Sequence, residues 1–229
     1  MIHAALLIAA AATAAVTLPP RPPDATYVYA LMVAGTTIGT STVTIDGTTP
    51  GTIVVKENVS FTLPRPLTAT TTMHYDATTL HETSYSGDFN LRFGPQHTDA
   101  TLKDGTVSVS VTGQRSIDIP ADASAPLELI SDNMAASGMF IPALLHATGA
   151  QTFTLAVLSG GRAIVGKVAT NTSPRPTSVP AADASLALDF SGLREIYWYD
   201  PRTYVVHDVQ VPSQRGEFRL TTNAKTITV

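Results

Sequence analysis

From Thr26 to Gly47 the chain reads TYVYALMVAGTTIGTSTVTIDG: apolar and polar positions alternate, halt at a glycine-bounded stretch and alternate again. Side chains of a strand point to opposite sides in turn, so Tyr27, Tyr29, Leu31 and Val33 share one face. Ser41, Val43 and Ile45 share a face of a second strand. With Gly35 to Gly39 as the interruption, the spacing predicts a β-hairpin. Similar patterns recur along the chain. GTIVVKENVSFTL gives a long strand from near Gly51, after the turn cluster Asp46 to Gly51. ATTTMHYDATTLHETSYSGDF gives two strands joined around Asp76-Ala77-Thr78. TDATLKDGTVSVSVTG is the clearest hairpin, its Asp104-Gly105 suited to a tight primed turn. Further on come QTFTLAVLSGGRAIVGKVAT, turning at Gly160-Gly161, then three strands in LALDFSGLREIYWYDPRTYVVHDVQV and a last one in GEFRLTTNAKTITV.

The period changes once. Between 127 and 151, Met134, Ser137, Gly138, Ile141, Leu144 and Leu145 fall at helical spacings. Ser131 or Asp132 suits an N-cap and Gly149 a C-terminal stop. Pro142 inside the run predicts two short helices in place of one long one. With more than ten short strands, one helical interruption and connections too short for parallel crossovers, the expectation is an all-β, mostly antiparallel fold. Its form is a long curved sheet or open half-barrel, with one short helical insert near 131–148 packed on it.

The chain ends modify this picture little. MIHAALLIAAAATAAVTLPPRPPD opens with an apolar run too short to span a membrane, and Ala12-Thr13-Ala14 fits a small-x-small cleavage site. Residues 1–14 read as a signal peptide, although the first residues carry only His3 and no Lys or Arg. Residues 15–25 read as a stiff Pro-rich spacer, and 26–229 as a single domain. The expected compartment is periplasmic or secreted, and the mature protein is not expected to be an integral membrane protein. NTSPRPTSVPAADAS, 171–185, reads as a loop, the best candidate for a mobile or edge-covering segment.

Composition excludes more than it assigns. Only 14% of the 229 residues are charged, well under the roughly one quarter of ordinary domains, so threonine and serine must supply much of the polar surface. The net charge of -4 offers no basic stripe for phosphates, which disfavours nucleic acid. The absence of cysteine removes disulfides, thiolate nucleophiles and cysteine zinc sites. No Gly-x-Ser-x-Gly elbow, phosphate loop or dinucleotide fingerprint is present. Ser131-Asp132-Asn133 lacks the partners of a serine β-lactamase site. His74 and His81 flank a turn with Glu82 beside the second, and a His-His-Glu metal site is conceivable there, although exposed cross-strand polar residues are commoner. No catalytic residue, metal ligand or cofactor is assigned. The motifs around HYDATTLHETSY and WYDPRTYVVHDV resemble one another, which reads as shared turn chemistry.

The residues that stand out are apolar. Tyr197, Trp198 and Tyr199 put rings on both faces of one strand, and Met139, Phe140, Ile141, Leu144 and Leu145 lie on the helical insert. A sheet and helix with such faces make either an ordinary core or a groove for a lipid-like ligand. The candidate groove residues are Tyr29, Leu31, Phe140, Leu144 and Trp198.

The opening YVYALMVAGTTIGTSTVTI, the Asp132-Asn133 start of the insert and the closing EIYWYDPRTYVVHDVQV resemble a group of uncharacterised secreted bacterial β-sheet domains. The outline is similar to LolA/LolB-type open-barrel envelope proteins. That resemblance implies a sheet curled around a helix and carries over no catalytic residues. The function expected is therefore non-catalytic binding of a hydrophobic or lipid-like molecule in a sheet–helix groove. Alternatives are an envelope structural or protein-interaction module and, last, a metal-dependent enzyme using His74, His81 and Glu82.

Overall fold

The structure, a computed structural model, describes residues 18–62, 66–91, 94–121, 126–130, 138–158, 160–190, 192–213 and 216–222. Its strands are β1 (Ala25–Val33), β2 (Thr36–Asp46), β3 (Thr52–Phe61), β4 (Leu67–Asp76), β5 (Glu82–Leu91), β6 (Gly94–Lys103), β7 (Thr106–Val111) and β8 (Ile117–Pro120). β9 (Leu127–Ile130) leads to helix α1 (Ile141–Thr148) and β10 (Thr152–Val157). Then follow β11 (Arg162–Ala169), β12 (Ala184–Phe190), β13 (Leu193–Tyr199), β14 (Val206–Ser213) and β15 (Gly216–Thr222). All the strands belong to one sheet, ordered β8-β7-β6-β5-β4-β3-β2-β1-β15-β14-β13-β12-β11-β10-β9. The fold is the mostly antiparallel, curled half-barrel that the alternation predicts.

The burial alternation explains the curl. β1 and β3 each bury every second residue, so one largely apolar face turns inward, while threonines such as Thr40, Thr42 and Thr44 of β2 and Thr68, Thr70 and Thr72 of β4 turn outward. Rolling brings the two ends of the sheet over each other: β9 meets β5, and β8 meets β11. The inner face and α1 enclose one continuous core that includes Tyr29, Leu31, Val55, Met73, Leu129, Phe140, Leu144 and Phe153.

The turns show where sequence rules held. Asp104 and Gly105 both have positive φ, 49° and 74°, as a type I′ hairpin needs. In the first hairpin the turn is Ala34-Gly35, and Gly39 lies inside β2, not at the end of an interruption. The register shifts between Leu31 and Met32, so a bulge absorbs one residue beside Gly39. A Cβ at Gly39 would overlap the Ser60 carbonyl and lie 3.0 Å from the Phe61 Cα, so the glycine serves the close approach of β3.

α1 begins beside the expected break. Pro142 sits in its first turn, where its missing N–H has no partner to lose. Gly149 ends the helix at φ 63°, its N–H donating to the Leu145 carbonyl at 2.9 Å. The expected caps Ser131 and Asp132, and the first half of the helical insert, fall in 131–137, outside the described residues, as does 1–17 with its expected signal peptide. The connection containing α1 also makes a parallel crossover, since β9 pairs parallel to β10. That is the one departure from antiparallel pairing among the described strands.

The two look-alike motifs fold alike. Asp76 and Asp200 each accept through Oδ1 from the backbone two residues on, Thr78 and Arg202, both at 2.8 Å. Each turn closes through a residue at φ 58°, Leu80 or Tyr204. Each then shifts register by one residue, between His74 and Tyr75 or between Trp198 and Tyr199.

Candidate functional site, a buried carboxyl and tyrosine cluster beside the apolar wall

Four of the five groove candidates come together. Tyr29, Leu31, Phe140 and Leu144 lie in the inner core at 0–2% exposure. Tyr29 donates from its hydroxyl to the Val206 carbonyl at 3.2 Å and lies 3.5 Å from Met139 Sδ. Phe140 stacks on Tyr75, centroids 4.6 Å apart at 26°. Trp198 is the exception. It stands on the outer face with Ile196, Ala187 and Val179, under the loop that follows β11. Strand parity separates it from Tyr197, which faces inward. The Arg175 guanidinium lies 4.9 Å over its ring, and Asp183 in the same loop bonds His207 at 2.6 Å. The loop thus covers the outer face of β12 and β13 and not an edge of the sheet, and Trp198 belongs to that cover.

The inner wall also carries polar groups that periodicity did not flag. Glu57 of β3, Glu82 of β5 and Glu128 of β9 are 0–2% exposed, and Glu195 of β13 shares the inward parity of Tyr197. Ser41 donates to Glu57 Oε1 at 2.5 Å. Tyr75 donates to Glu128 Oε1 at 3.0 Å, and the Leu129 backbone N–H donates to Glu82 Oε2 at 2.7 Å. Tyr197 donates to Glu195 Oε2 at 2.6 Å. Glu82 Oε1, Glu128 Oε2 and Thr71 Oγ1 have no hydrogen-bond partner among the described residues.

Carboxylates in such a place resist ionisation, since a dry interior penalises charge. Burial pushes Glu82 well above its ordinary range, and the neighbouring Glu128 pushes it further, against the Leu129 N–H. Burial raises Glu128 likewise, opposed by the Tyr75 bond and reinforced by Glu195. Glu195 is raised by burial against its Tyr197 bond. No lysine or arginine is among the buried described residues. The cluster can therefore store protons and change charge.

Two other arrangements compare poorly. His74 and Glu82 lie on opposite faces of the β4–β5 hairpin: Met73 and Tyr75 point in, His74 between them points out, and Glu82 points in. The conceived His74, His81, Glu82 metal site does not assemble, and among the described residues no three His, Asp or Glu are placed to hold a metal ion. At the sheet rim, a cleft of about 350 Å³ is lined by residues that include Thr70, Asp88, Asn90, Gln96, His97 and Thr112. His97 sits between Asp88 at 2.7 Å and Asp99 at 2.8 Å. Those two hydrogen bonds, to Asp88 first, raise its affinity for a proton.

The inward glutamates had a signal. Glu57 holds the inward slot between Val55 and Val59, and Glu128 interrupts the run LELI. A polar residue at a core parity marks a buried polar group as readily as a register error.

No family model matches the chain, and no curated protein matches it. Among solved structures it is similar to a β-barrel-like protein of domain of unknown function DUF1849 from Brucella abortus, at 13% identity and a TM-score of 0.57. That match covers 91% of this chain and 100% of the other. At that identity the likeness shows the fold alone: the chain has the architecture of an uncharacterised β-barrel-like domain.

Proposed function

We propose that the protein is an exported, non-catalytic binding protein, periplasmic or secreted, that holds a hydrophobic or lipid-like molecule between the inner wall of the rolled sheet and α1. The observation that carries this reading is the contact between them. α1 meets the wall through Phe140, Ile141, Leu144 and Leu145, in one apolar cluster with Tyr29 and Leu31. An acyl chain replaces such side chains with little change in hydrophobic free energy, since the effect follows apolar area and not its source. Because the wall is closed by α1, binding requires the helix to swing out.

Native mass spectrometry and thermal shift with oleic acid and a phosphatidylethanolamine test the reading. A one-to-one complex and a rise in melting temperature are expected. No adduct with either, from acid to alkaline pH, overturns it. The envelope interaction module is the second reading, and the rim cleft beside His97 favours it, since Ala69, Phe89 and Pro95 with Asp88, Asn90 and Gln96 around them make the apolar centre and polar edge of a partner surface. Cross-linking and pull-down from envelope extracts separate the two, because the carrier needs no stable protein partner.

A further inference from the structure

We propose that Glu82 and Glu128 form a proton-dependent latch that holds β9, and α1 beyond it, inside the roll. While at least one of the two carboxyls is protonated the latch is closed; losing the last proton releases β9 and α1. β9 is the terminal strand of the sheet, only four residues long, and pairs along one edge with β10. Its other edge has a side chain for a partner, the Leu129 N–H donating to Glu82 Oε2 at 2.7 Å. The neighbouring residue completes the tie: Glu128 Oε1 accepts from Tyr75, whose ring stacks on Phe140 at the start of α1. Two side chains of the β4–β5 hairpin, Tyr75 and Glu82, thus hold both the strand and the helix.

Proton count decides the strength of this tie. With one proton the pair carries one negative charge, which the Leu129 N–H and the Tyr75 O–H offset. The second oxygens, Glu82 Oε1 and Glu128 Oε2, have no other partner among the described residues and are the atoms left free to take up that proton. Without it, two like charges stand in a region from which water is excluded, an arrangement that costs far more than on a surface. The titratable groups facing the pair are Glu57 from β3, Tyr75 from β4, and Glu195 and Tyr197 from β13. All four are acids, so nothing from these strands offers a compensating cation. The latch stands without a ligand; that its opening uncovers a binding wall rests on the reading proposed above.

Hydrogen exchange of the full chain, read by mass spectrometry from about pH 5 to about pH 9 and corrected for intrinsic rates, tests the latch. Wild type is expected to lose protection in 126–130 and 141–148 by at least tenfold as pH rises, while β2 and β3 stay protected. The conservative variants Glu82→Gln and Glu128→Gln keep an acceptor for Leu129 or Tyr75 but shed the second charge, so each is expected to hold protection across the range. Constant protection in wild type overturns the latch, and that readout needs no variant to fold. An undiminished pH-dependent loss in both variants also overturns it. No lipid adduct at the pH where the segment exchanges overturns the binding reading and leaves the latch standing.

Discussion

Individual carboxyls in this chain pull stability in opposite directions with pH. Glu82, Glu128 and Glu195 hold their protons above the ordinary value of 4.5. Below 4.5 folded and unfolded chains are both protonated at these sites. Above it the unfolded chain releases protons that the folded chain retains, so the glutamates' contribution is present in acid and lost as pH rises through their folded values. Asp46, Asp76 and Asp200 sit below the ordinary 3.8, held there first by the Thr48 hydroxyl, the Thr78 hydroxyl and the Arg202 backbone N–H respectively. Their contribution is present above 3.8 and lost as pH falls, but they face water and count for little. The dominant arm is the alkaline one. Denaturant midpoints are expected to fall from mildly acid toward alkaline pH, and Glu82→Gln with Glu128→Gln to flatten that fall. A midpoint rising with pH over the same range contradicts the burial of these groups. Their presence was legible only as parity breaks. A glutamate at one inward slot of a strand looks the same in sequence whether it lies in a core or marks a slipped register.

At the scale of elements, turns were the most legible features and facing directions the least. Asp104-Gly105 announced its turn because both positions need positive φ, a property of the residues themselves. Tyr197-Trp198-Tyr199 announced rings on both faces, yet which face turns inward depends on strands far along the chain, and Trp198 faces out. Its cover, the loop carrying Arg175, Val179 and Asp183, is a separate element with its own small core. Arg175 ties it by donating to the Pro180 and Asp183 carbonyls and lying over the indole. Trp198 is the single tryptophan, so its emission reports this loop alone. Arg175→Ala is expected to shift the emission to the red and speed proteolysis within 170–183, at a stability cost of only about 1 kcal/mol. An unchanged spectrum and an intact loop argue that Val179 and the Asp183–His207 bond suffice to hold it.

The molecule as a whole is a meander whose sequence order has been cut in an unusual place. Strands follow one another from β1 to β8 along one direction of the sheet and from β15 back to β9 along the other, and the two halves join where β1 pairs β15. The first and last described strands therefore meet mid-sheet, while the seam lies between β8 and β9, which follow each other in sequence. Hairpin patterns could not show this, because the β1–β15 ladder joins residues such as Leu31 and Leu220 with nearly the whole domain between them. Closing so long a loop must precede any gain from the ladder, and this is the step that sets the folding rate of sheets rich in distant pairs. Moving the cut removes it. A permuted chain that begins at β9, runs to β15, crosses a short flexible linker into β1 and ends at β8 keeps every strand pair. Thr222 lies opposite Tyr29, so the linker must return over four residues of β1 to Ala25, roughly 14 Å of strand. About eight residues of glycine and serine reach that far and make the turn. Stopped-flow refolding is expected to be several-fold faster in the permutant, with the equilibrium stability changed little, since β1–β15 becomes a local hairpin. If both chains refold at the same rate, the β1–β15 ladder forms after the barrier, and the two halves of the sheet dock on their shared core before they are stitched.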